Sequence, residues 1–159
     1  MWPEHWPVIA RQITTSTESA LAAASDGAAD AFRASVDDLA ALPYEQVGAV
    51  HAGVARELLE ELHPDGLTGE DVQAVLERTV RAGLAWYPEL APDAVVSVLT
   101  GTLGVSDPDA PQPTIAPVDH LAAAVLVLAD LLAARRVAAR PYLRRAVGEI
   151  ERGETMEMP

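Results

Sequence analysis

The chain has 159 residues, half of them hydrophobic but only 4% aromatic, and a formal net charge of −13. That length suits one domain with one core, burying roughly 70% of the surface an unfolded chain exposes, and the apolar content argues against disorder along the whole chain. There is no cysteine, which excludes disulfides, thiol catalysis and cysteine-ligated zinc or iron–sulfur sites.

So few aromatics mean a core built from Ala, Val and Leu, side chains suited to closely packed helices. The opening MWPEHWPVIARQ lacks the basic, apolar and small-residue order of a secretory signal, so the cytoplasm is the expected compartment. Trp2 and Trp6, each followed by a proline, form a short stiff segment whose rings the local chain cannot bury. They dock either on the domain's own core or on a partner, which makes them interface candidates.

A first helix is predicted from the Pro7 region to about Ala24, weakened by Thr14, Thr15, Ser16 and Thr17. After Asp26 and Gly27, a second segment from about Ala28 to Ala41 aligns Ala28, Phe32, Val36 and Leu39. From Tyr44 to Leu62 the stripe of Val47, Val50, His51, Val54, Leu58 and Leu62 predicts an amphipathic helix, ended by His63-Pro64-Asp65-Gly66. Thr68 opens the next helix as its cap, with Glu70 and Asp71 at the positive dipole end, and it stops near Trp86. A short apolar helix covers Asp93 to Leu103.

Residues 106–117 carry four prolines and read as a loop. The last major helix is predicted from Val118 to Ala139, broken at Pro141, followed by a shorter helix to about Glu151 and a frayed tail over 153–159. Between His120 and Arg135 lie 14 residues with Asp130 as the single charge. This is short of the roughly 20 needed to span a bilayer, and a charge at its centre would cost on the order of 3 kcal/mol. Leu121, Val125, Leu128 and Leu132, widened by Leu126, Val127 and Leu131, instead suit a helix with neighbours on several sides. The expected fold is therefore all-α, one domain over residues 1–159, with five or six helices around the segment 118–139.

No phosphate-loop, nucleophile-elbow, dinucleotide or HExxH motif occurs. His51 sits on an apolar stripe, where its ring needs a hydrogen-bond partner, and it is the leading ligand-pocket candidate, with Asp130, His120 and Tyr44 beside it. Asp130 must pair with a cation, be protonated or face water, and a solvated or Arg-paired edge is the favoured reading. Glu60 and His63 make one E-x-x-H, but helical di-metal sites use two such pairs and two further glutamates. Asp65 to Asp71 lacks the ligand alternation of a calcium loop, and neither metal nor cofactor is expected.

Residues 135–152 hold six Arg against Glu149 and Glu151, a local charge of +4 against −17 for the remainder. Arg136, Arg140 and Arg144 would align if helix continued through Pro141, giving a guanidinium patch for a protein carboxylate or phosphate. A match to the chain's own acids is favoured. The negative field disfavours nucleic acid.

These features predict a non-catalytic, acidic interaction or regulatory protein that self-associates, most simply as a homodimer, through Trp2, Trp6 and the arginines. A small-molecule-binding or enzymatic bundle with a pocket near His51 is the alternative. An acidic decoy for a basic partner is the third.

Overall fold

The computed structural model describes residues 2–105, 109 and 114–157, the last four in backbone only. Seven helices are formed: α1 (Val8–Asp26), α2 (Ala29–Ala40), α3 (Tyr44–Leu62), α4 (Gly69–Leu84), α5 (Pro92–Leu103), α6 (Pro117–Arg135) and α7 (Arg140–Glu157). Among the described residues there is no strand. The predicted loop at 106–117 falls largely outside the described residues, as does the extreme end of the predicted frayed tail.

The count is seven rather than five or six because the two weakest segments both form. In α1, Thr14 Oγ1 donates within the helix to Ala10 O and Arg11 O, each at 3.0 Å, and Thr14 and Thr17 are fully buried. The Thr14 hydroxyl that would compete with the backbone is thereby satisfied locally, and that of Thr17 meets His51 on α3. In α7, Pro141 lies in the first turn, where no amide donor is needed, so helix runs on through the predicted tail to Glu157.

α6 buries ten of its 19 residues, eight of them consecutive from Leu121 to Leu128, and it touches α1, α2, α3, α4 and α5. By length and composition it would suit a bilayer, but other helices cover its apolar surface. α3 and α7 approach closely at Gly53, where an added Cβ would lie 3.4 Å from Ala146 Cβ. Phe32 is fully buried, with Trp86 and Tyr87 edge-on at 5.0 Å each. Thr68 and Asp71 close a reciprocal capping box on α4.

α6 ends at Arg135 rather than Ala139, and Pro141 is not the cause. Arg136 turns left-handed, at φ 58° and ψ 49°. Its N–H bonds Ala133 O, and the Val137 N–H bonds Leu132 O. α1 and α5 end by the same device with Gly27 and Gly104. Arg136 is the one non-glycine with positive φ among the described residues, and a side chain in that conformation costs about 1–2 kcal/mol. Arg136→Gly should therefore raise stability by roughly 0.5–1 kcal/mol after allowing for glycine's unfolded-state entropy, seen as a higher urea midpoint at unchanged slope.

Candidate functional site

Two cavities flank α6. They lie on opposite faces, since Ala124 borders one and Ala133 the other, about two and a half helical turns apart.

The first, of about 190 Å³, lies between α3, α5 and α6 and is lined by Tyr44, His51, Ser97, Thr102 and His120. Tyr44 and His51 are two turns apart and share one face of α3, while His120 sits in the first turn of α6. The Tyr44 and His120 rings are 6.0 Å apart. Gly48 of α3 and Gly101 of α5 also border the cavity, and a Cβ on either would meet nothing within 4 Å. Neither glycine is there for close packing, although each weakens its helix by about 1 kcal/mol relative to Ala. Their missing side chains leave the cavity open.

His51 is 3% exposed. Its Nε2 lies 2.9 Å from Thr17 Oγ1 on α1, and its Nδ1, also buried, has no partner. Either the threonine hydroxyl donates to Nε2, leaving an Nδ1–H without an acceptor, or Nε2–H donates and Nδ1 is an unused acceptor. In both cases the ring keeps one polar atom unsatisfied beside the cavity. Burial, aided by the neighbouring His120, lowers the His51 pKa from 6.5 to about 4. Burial lowers His120 as well and raises the Tyr44 phenol, so at neutral pH all three side chains are uncharged.

Asp130 does not join this group. It lies about 15 Å along α6 from His120 and about 80° around it, and it borders the second cavity. Its side chain is 12% exposed and accepts two bonds from Arg78, at 3.2 and 3.0 Å. This bidentate pairing is the Arg-paired edge expected from the sequence. The second cavity is a cleft of about 600 Å³ between the last turns of α1, α4 and α6, bordered by Ala24, Thr79, Trp86, Ala129 and Arg136.

The surface candidates are dispersed. Trp2 and Trp6, expected either in the core or at an interface, are each 6% exposed and stacked at 5.4 Å. The start of α7 supplies the surface that the local chain lacks: the Arg140 guanidinium lies 4.6 Å from the Trp2 ring. The three arginines do not align, because the chain leaves helix at Arg136 before α7 begins. Arg140 binds Glu18 through two bonds, Arg145 binds Glu57 at 2.7 Å, and Arg135 approaches Glu61. Tyr142 also donates to Glu61. Arg136 and Arg144 have no ion-pair partner among the described residues. His63 faces Asp71 at 3.5 Å, and among the described residues no three potential metal-ligating side chains cluster.

Thr17, a weak helix former in sequence, and Thr79 are not legible there as site residues. The available signal was a hydroxyl on an otherwise apolar stripe.

Thr17→Val alone should destabilise by about 1–3 kcal/mol, because it strands Nε2, whereas Thr17→Val/His51→Leu should recover most of that loss. The depressed His51 pKa means that the unfolded chain binds the proton more readily, so this contribution is full above pH 6.5 and lost as pH falls toward about 4. Denaturation between pH 7 and 5 should show stability falling by up to about 1.4 kcal/mol per unit at the low end, with His120 acting in the same direction. The double variant should lose the larger share of that slope.

Compared with protein-family models, curated proteins and solved structures, the chain matches none.

Proposed function

We propose that this chain is a single helical domain, organised around α6, that binds a small uncharged molecule in the cavity between α3, α5 and α6. The observation that carries the reading is the meeting of Tyr44, His51 and His120, distant in sequence, around one open space of about 190 Å³. An apolar cavity of about 150 Å³ is large enough for benzene, so the volume suits a six- to eight-atom ring. Neutral imidazoles, a phenol and the hydroxyls of Ser97 and Thr102 offer hydrogen bonds but no counter-charge, which favours a neutral occupant. The unsatisfied His51 ring atom and the two helix glycines point the same way: each lowers the stability of the free fold, and each borders this space.

Self-association through Trp2 and Trp6 has less behind it, since both rings are buried within the chain, Arg140 lies over Trp2, and Arg135, Arg140 and Arg145 pair with the chain's own acids.

Phenol tests the reading. Titration followed by histidine ring NMR should shift His51 and His120 and leave His5 and His63 in place, with a dissociation constant on the order of 0.1–1 mM. Gly48→Ala should raise helix stability by about 1 kcal/mol, and Gly48→Leu should abolish the shifts while the protein stays folded. Unmoved His51 and His120 signals at 10 mM phenol, on the order of ten times that constant, would reject the proposal.

A further inference from the structure

The cleft on the other face of α6 carries an inference that does not depend on the His51 cavity. Its walls are the last turns of three helices: Leu21, Ala24 and Ser25 of α1, Ala82 and Gly83 of α4, and Ala129 and Ala133 of α6. Its volume of about 600 Å³ lies in the range of small-molecule sites. Beyond the small, mostly apolar lining, two features bear on a ligand.

The first is Thr79. It borders the cleft, is 2% exposed, and its hydroxyl has no hydrogen-bond partner. A threonine within a helix normally returns its hydroxyl to the carbonyl one turn back, as Thr14 does in α1. Thr79 makes no such bond. Rotation about its first side-chain torsion moves the hydroxyl between staggered positions without breaking any hydrogen bond.

The second is the balance of charge. Three helix C-termini converge here, each carrying partial negative charge, and their combined field opposes an anion. Arg136 borders the cleft without an ion-pair partner among the described residues and opposes a cation. Asp130 offers a cation little, because Arg78 already occupies both of its oxygens.

We propose that the cleft between α1, α4 and α6 binds an uncharged amphiphile, an aliphatic or aromatic body bearing one alcohol, ester or amide group that hydrogen-bonds Thr79. The body lies along Ala24, Ala82, Ala129 and Trp86. The carbon stem of Arg136 borders one end while its guanidinium stays in water.

Isothermal titration with 1-octanol, octanoate and octylamine tests this, because the three probes share a tail and differ in head-group charge. Octanol should bind most tightly. Thr79→Val, which removes the hydroxyl at nearly constant shape, should weaken octanol at least fivefold while raising the thermal midpoint, since an unpartnered buried hydroxyl is replaced by a methyl. Opposite changes in binding and stability cannot come from misfolding. Ala129→Phe should fill the cleft and remove octanol binding without altering the phenol shifts at His51. The proposal is overturned if octanol does not bind the parent chain, if Thr79→Val leaves its affinity unchanged, or if either charged probe binds as tightly. A dimer that Ala129→Phe dissociates would identify a second copy of the chain as the occupant and would equally overturn it.

Discussion

The apolar stretch of α6 from Leu121 to Leu128 is covered by the rest of the chain. Over those eight consecutive buried residues the helix turns no face to water. Five helices meet this one directly, and α7 closes over α3 at the Gly53–Ala146 contact. Because the core is rich in Ala and Val, the helices approach closely, and cavities remain where small side chains face one another with nothing large to fill the gap.

Several departures from local preference border those cavities, while Arg11 Nε, buried without a partner among the described residues, and the helical Gly148 and Gly153 of α7 lie away from both. Gly48 and Gly101 weaken α3 and α5 with no neighbour requiring their smallness. Arg136 occupies a left-handed position that the equivalent ends of α1 and α5 give to glycine. His51 Nδ1 and Thr79 Oγ1 are buried without partners. Each lowers the stability of the free fold, and each borders one of the two spaces beside α6. Local preference is sacrificed at binding sites more often than elsewhere, and that regularity joins the two proposed ligand sites to the energetics of the fold.

The arginines have a different part. The segregation of +4 in residues 135–152 against −17 elsewhere is met within the chain for three of the six arginines, through Glu18, Glu57 and Glu61. These pairs are partly exposed and each contributes little to stability. They orient α7 and the segment after α6 against α1 and α3, and Arg140 links that orientation to the N-terminal tryptophans. Half of these arginines thus meet the chain's own acids, the match favoured from the sequence.

The amino-acid sequence by itself determined the helices, because spacings of three and four between Val, Leu and Ala act locally. Thr68 as the start of α4 was legible from its capping hydroxyl, and the buried run within α6 from its apolar composition. The place of His51 on an apolar stripe was also legible, and with it the need for a partner. Which partner it finds was not: Thr17 lies 34 residues away, on a helix whose docking angle no local pattern encodes. Tertiary packing alone decided that Tyr44 and His120 join His51 while Asp130 falls to the opposite cleft, and that Arg140 of α7 lies over Trp2. Periodicity reports which face of a helix turns inward, whereas cavities, ion pairs and orphaned hydroxyls depend on what arrives from elsewhere in the chain to meet that face.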